Sequence, residues 1–174
     1  MHKEKLFCKV RTRRKYFSYK GQVGKIAENL LKREFDTEAP NTKWVTDVTE
    51  FRVAEQKVYL SPILDLFDRS IVSYSVSESP TVAFTNQSLS EAISTLAEDE
   101  APMMHSDQGF QYQHTSWQKL RSEAKMPQFM SRKGNCLDNS VMENFFGHLK
   151  EEMFYRQKFS GLEAFTSELD DYIH

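Results

Sequence analysis

Apolar positions in this chain alternate along its first half and recur at helical spacing along its second. Residues 43–53 (KWVTDVTEFRV), 57–68 (KVYLSPILDLFD) and 69–79 (RSIVSYSVSES) are rich in β-branched and aromatic residues and read as strands. The joins AEQK and DRS are short, which predicts an antiparallel meander. Val82, Leu89, Ile93 and Leu96 then fall at helical spacing within 81–100. A short strand in 101–107 (APMMHSD), a helix in 114–124 capped by Thr115 or Ser116, and a second short strand in 126–131 (MPQFMS) follow. One helix is predicted from Asp138 and another over 161–174. The order βββαβαβαα predicts an α/β fold, a mixed sheet flanked by helices.

Composition and charge narrow this picture. Of the 174 residues 39% are hydrophobic and 13% aromatic, enough for a buried core. There is no apolar run of about 18 residues, and the N-terminal MHKEKLFCKVRTRRKY lacks the apolar stretch of a signal peptide. A cytoplasmic protein with no membrane partner is therefore expected. Cys8 and Cys136 lie far apart with no CxxC or HxxxH spacing, so ordinary reduced thiols are expected rather than a disulfide or a zinc site. The net charge of −2 conceals an asymmetry: residues 1–34 hold eleven Lys and Arg against three Glu. A Pro/Asn/Thr-rich boundary, DTEAPNTK, follows that arm, and the remainder of the chain is acidic. The predicted organisation is a basic arm or linker over 1–40 and a core over 41–174. A solubilising tail competes with a polyanion-binding arm as the reading of those charges.

The helix from Asp138 brings Asn139, Glu143, Gly147 and Lys150 onto one stripe, beside an apolar face of Met142, Phe145, Phe146, Leu149 and Met153. A mid-helix glycine costs about 1 kcal/mol relative to alanine, and one reason for it is room for something bulky between Glu143 and Lys150. An exposed Glu/Lys face with a chance glycine is the competing reading. Asp47 lies mid-strand among apolar neighbours, where a carboxylate is costly unless paired, hydrogen-bonded or metal-bound. Asp107 ends a short strand, where α/β proteins tend to bind ligands, although an Asx-type turn at Gly109 would also explain it. Asp65 also ends a strand and remains a rival fourth carboxylate. Oxygen ligands without a nearby Cys/His set suit Mg²⁺ or Mn²⁺ better than zinc.

The segments KWVTDVTEF, HSDQGFQY and SRKGNCLDNSVMENFFGHLKEE closely resemble the integrase catalytic core of bacterial insertion-sequence transposases, within the retroviral integrase superfamily. Thirty-five residues separate Asp107 from Glu143, matching that family's D,D(35)E spacing, and Lys150 matches its basic residue seven places after the Glu. The resemblance runs from about Asn41 to Tyr155, and RRKYFSYKGQVGK resembles the family's pre-core linker. It implies an RNase H-like fold with a five-stranded mixed sheet, Asp47 on the first strand, Asp107 after the fourth and Glu143 on the next helix. It demotes Asp65 to a structural role. Asp47, Asp107 and Glu143 would be both the catalytic residues and the ligands of two Mg²⁺ (or Mn²⁺) ions in a DDE transposase. Water would first free a 3′-hydroxyl at an element end, and that hydroxyl would then attack target DNA.

The same resemblance makes Lys150 a DNA-phosphate contact and the SRKGN loop, with Arg132 and Lys133, a basic flap. Asn139 and the arm's Arg13, Arg14 and Lys15 are further candidate DNA contacts, and His105 is either a contact or a core residue. The expected partners are DNA (element ends and target), further copies of the chain in the active complex, and a helix-turn-helix protein or fused domain; nucleoid association would accompany DNA binding. No helix-turn-helix pattern precedes the arm, and the last helix stops at DDYIH. A core truncated at its C-terminus is therefore expected, with the stripe Leu162, Phe165, Leu169 and Ile173 exposed to fray or seek a partner. The competing functions are an RNase H-like nuclease without strand transfer and an inactive, truncated DNA-binding remnant.

Overall fold

Strands β1 (Lys43–Thr46) and β2 (Thr49–Val53) both pair antiparallel with β3 (Gln56–Asp65). Their registers are continuous: Thr46 faces Ile63 and Thr49 faces Leu60, so Asp47 and Val48 fall opposite Pro62 and Ser61. Proline has no N–H to give to a ladder, and the strand is interrupted opposite it. The predicted first strand is thus one line in two pieces. This computed structural model describes residues 37–130 and 140–174.

Antiparallel β4 (Ile71–Ser77) flanks β3, while β5 (Met103–Ser106) and β6 (Gln128–Met130) extend the sheet in parallel beyond β1. With β1 and β2 counted as one line, the order β4-β3-β1/β2-β5-β6 has the five positions that were expected. Parallel neighbours require crossovers. Helix α1 (Val82–Ser94) lies between β4 and β5, and α2 (Phe110–Gln113) and α3 (Thr115–Glu123) lie between β5 and β6. Thr81 caps α1 by accepting from the Phe84 N–H. The cap of α3 is His114 rather than Thr115 or Ser116: its Nδ1 accepts from the Ser116 N–H at 3.2 Å. Helices α4 (Ser140–Glu152) and α5 (Leu162–Ile173) complete the order.

Side chains alternate across the sheet and build a core on each face. Trp44, Ile63 and Met104 pack with Leu89 of α1 and with Tyr112 and Trp117 of α2 and α3. Val45, Phe51, Val58, Leu60 and Leu64 pack on the other face with Met142, Phe146 and Leu149 of α4 and Phe165 and Leu169 of α5. Here one expectation fails: the α5 stripe is covered. Phe165 and Leu169 are fully buried, and Leu162 and Ile173 pack against the same core. An aromatic nest accounts for this, with Phe51 lying 5.0 Å from both Phe154 and Phe165 by ring centroids.

Candidate active site at two strand ends

Residues Lys43, Trp44 and Val45 of β1 lie beside Met103, Met104 and His105 of β5 in parallel. Carrying that register on by two residues sets Asp47 level with Asp107, each just beyond its strand. Both carboxylates are half-buried. Asp47 Oδ1 accepts from the Val48 N–H at 2.8 Å, and Asp107 Oδ1 accepts from the Gly109 N–H at 2.8 Å. The Asx-type turn is therefore present, and it fixes the Asp107 side chain rather than competing with a role for it. By the alternation through Val45, Asp47 and Thr49, Asp47 belongs to the sheet face that α4 and α5 cover.

Gly109 matters here through space, not torsion. A Cβ on it would stand 2.8 Å from Asp107 Oδ1 and 3.3 Å from Tyr112 Cδ2. The first contact would force the carboxylate to shift and the second would ask the ring to give by a few tenths of an ångström, so the absent side chain lets the turn close on the carboxylate as it stands. Tyr112, whose ring edge meets that turn, is 1% exposed, and its hydroxyl stands beside those of Thr46 and Ser61. Thr46 donates to the Pro62 carbonyl at 2.9 Å and Ser61 shares a bond with Ser88 at 3.2 Å, which leaves each oxygen a lone pair to accept from the phenol. Burial above all, and next the negative charge of Asp47, pushes the Tyr112 phenol up from its ordinary pKa.

Glu143 is exposed in the first turn of α4, a place that suits a carboxylate against the helix dipole. Among the described residues no group of three His, Cys, Asp or Glu side chains is close enough to hold a metal ion. The β1–β5 register thus sets Asp47 and Asp107 level at adjacent strand ends, and Glu143 stands in the first turn of α4. Lys150 ties α4 to the first strand: its Nζ donates to Thr49 Oγ1 at 2.7 Å and lies 5.2 Å from the Phe51 ring centroid. Thr49 is two residues from Asp47.

Asp65, the rival carboxylate, is 3% exposed and serves the fold, accepting from the Asn41 N–H at 2.7 Å, the Phe67 N–H at 2.9 Å and Trp44 Nε1 at 3.4 Å. His105 is buried within β5, an interior position. Arg132, Lys133 and Asn139, like Arg13, Arg14 and Lys15 of the arm, lie outside the described residues. Sequence reasoning named Gly109 only as the turn residue that competed with a role for Asp107, and passed over Tyr112. The only signal for Tyr112 was its place five residues after Asp107.

A mixed sheet between two helical layers, with carboxylates level at the ends of adjacent parallel strands, defines an RNase H-like domain. Solved structures share the fold. The HTLV-2 integrase catalytic core domain in complex with magnesium (trimeric form) superposes with a TM-score of 0.63 at 19% identity, covering 78% of this chain and 84% of that one. Integrase core domain models match residues 37–136 and 143–174, and the chain belongs to the integrase core domain family. It is 48% identical over 160 residues to the putative transposase InsK for insertion sequence element IS150 of Escherichia coli (strain K12), covering 92% of this chain and 56% of that protein. An uncharacterized transposase-like protein of Haemophilus influenzae is also 48% identical over 160 residues, covering 92% of this chain and 74% of the relative. The probable transposase for insertion sequence element IS1353 of Shigella flexneri is 38% identical over 176 residues. The chain spans 34% of that last relative's length and 56% of InsK's.

Proposed function

We propose that this chain is the catalytic core of a DDE transposase that cleaves DNA and transfers the freed strand, with Asp47, Asp107 and Glu143 as its acidic residues. The observation that carries this reading is the level emergence of Asp47 and Asp107 from β1 and β5. Two carboxylates so placed repel each other and favour a cation between them. Their donors are oxygen only, which fits a hard divalent ion, Mg²⁺ or Mn²⁺, better than zinc. A bound pair of such ions would supply charge stabilisation to the attacking and leaving oxygens of an in-line displacement.

The protein's own groups set the geometry. Val48 and Gly109 N–H groups hold Asp47 and Asp107 in place, and the first turn of α4 supplies Glu143 as the third ligand. Lys150, anchored at Thr49, would present its ammonium to a DNA phosphate beside Asp47. Arg132, Lys133 and Asn139 would add contacts from the segment before α4, and Arg13, Arg14 and Lys15 from the basic arm. Water attacks first and a 3′-hydroxyl second; both are phosphoryl transfers, so one site serves both. The active complex would contain several copies of the chain on cytoplasmic, nucleoid-associated DNA, with end recognition supplied by a helix-turn-helix domain or partner.

The test is incubation of the protein with Mg²⁺ or Mn²⁺, a labelled duplex bearing a 3′-hydroxyl end and a target plasmid. Cleaved and joined products are expected, both lost in Asp107→Asn. Cleavage without any joined product would instead identify a nuclease. DNA binding with neither product would identify a binding remnant.

A further inference from the structure

A guanidinium only donates hydrogen bonds, so whatever faces it must accept. Arg121 of α3 thereby sets the sense of a run of polar side chains that crosses from α3 to the end of β5. One of its nitrogens donates to the Met126 carbonyl and the other to Gln118 Oε1 at 2.9 Å. The Gln118 amide nitrogen is thus turned the other way, donating to the Tyr112 carbonyl at 2.6 Å and to Gln128 Oε1 at 2.7 Å. Gln128 of β6 must then present its own nitrogen on the far side, where it donates to Ser106 Oγ at 3.0 Å. The Ser106 hydroxyl, having accepted there, donates to the Asp107 carbonyl at 3.1 Å. Every link points the same way, and the run ends on the main chain of Asp107. Ser106 is fully buried and Gln118 and Gln128 half-buried, a setting in which successive bonds polarise one another.

We propose that Ser106 and Gln128 are positioning residues for Asp107, fixing the peptide plane from which its carboxylate is presented. The proposal rests on the reading of Asp107 as a cation ligand. Asp107 is held twice: the Gly109 N–H fastens its carboxylate at 2.8 Å, and the Ser106 hydroxyl fastens its carbonyl. Joining α3 to β6 does not require the second hold, because the Gln118–Gln128 bond already does that. The further links to Ser106 and Asp107 serve the strand end. Groups that orient the ligands of a metal typically change its affinity about 10–100-fold when lost.

The experiment measures Mn²⁺ affinity by calorimetric titration, and Tm without cation, for Ser106→Ala, Gln128→Glu and the double variant of the full chain. Gln128→Glu keeps the shape of the side chain but replaces its donor by an acceptor. The Ser106 hydroxyl then turns to the new carboxylate and releases the Asp107 carbonyl. Each single variant is expected to weaken Mn²⁺ binding about tenfold. The double variant should lose no more than either, because both changes act through one hydroxyl. Unaltered or tightened Mn²⁺ binding in either single variant overturns the proposal, whatever its Tm. Losses that multiply in the double variant overturn it too, since Gln128 would then act by a route other than Ser106. Asp107→Asn separates the two levels of the account. If it binds Mn²⁺ normally, the metal-site reading itself fails; if it alone loses Mn²⁺, only the role of Ser106 and Gln128 does.

Discussion

Asp65 and Asp107 each stand at a strand end and accept from backbone N–H groups, yet they differ in what surrounds them. Both oxygens of Asp65 are occupied by donors from Asn41, Trp44 and Phe67 inside the fold. Asp65→Asn puts an amide N–H₂ against those donors and should cost about 1–3 kcal/mol in a denaturation experiment. Cleavage per folded molecule should stay unchanged; a selective loss would return Asp65 to the site. Asp107, half-exposed at the sheet's end, depends on the glycine two residues on. Gly109→Ala drives a Cβ to 2.8 Å from the carboxylate oxygen and should reduce cleavage about tenfold, in the range of lost supporting contacts at metal sites, with little change in Tm. Wild-type activity in that variant would show that the turn does not set the carboxylate. Motif and spacing singled out the three acidic residues of the proposed site, and named Gly109 as the residue of an Asx-type turn. The packing of Tyr112 against that turn was not legible, because it arises from a chain that folds back on itself, which no periodicity records.

At the scale of elements, the alternating pattern revealed the meander but not the interruption at Asp47, whose cause is Pro62 on the opposite strand. The β2–β3 hairpin held a second surprise. It turns through Ala54 and Glu55, at φ 46° and 67°, where two-residue hairpins favour Asn-Gly. Replacing the pair by Asn-Gly relieves the left-handed cost of about 1–2 kcal/mol per residue and should raise the denaturation midpoint; no rise would mean that these torsions carry no strain. Helix α5 is tied down by polar as well as apolar contacts, Tyr172 donating to Glu152 Oε2 at 2.8 Å. Burial and then the Glu152 bond push the Tyr172 phenol up to about 12. A raised pKa in the folded state means that this contact contributes fully below the unfolded phenol's pKa of about 10 and is lost as pH rises through about 12. The difference in ultraviolet titration between wild type and Tyr172→Phe should show one tyrosine ionising near pH 12. An ordinary midpoint in that difference would contradict the tie between the helices. The covering of α5 was illegible in the sequence because its partners, Phe51, Phe154 and Phe159, come from separate segments.

For the molecule as a whole, charge is divided between a basic first segment and an acidic remainder. Eleven Lys and Arg against three Glu in residues 1–34 should make DNA binding salt-dependent through counterion release. Deleting that segment should lower affinity and flatten the dependence of log K on log salt, whereas Lys150→Ala should reduce cleavage with a small change in slope. An untouched slope after the deletion would make the arm a solubilising tail. The central claim is that two carboxylates fixed by the sheet and a third carried by α4 form one cation-dependent site. Its most direct test is Mn²⁺-dependent DNA cleavage by Asp47→Asn, Asp107→Asn and Glu143→Gln beside Asp65→Asn. The account predicts losses of at least about 100-fold in each of the first three, at or beyond the upper end for an outer partner, and near-normal cleavage in the fourth. Full cleavage by Asp107→Asn or by Glu143→Gln would contradict it.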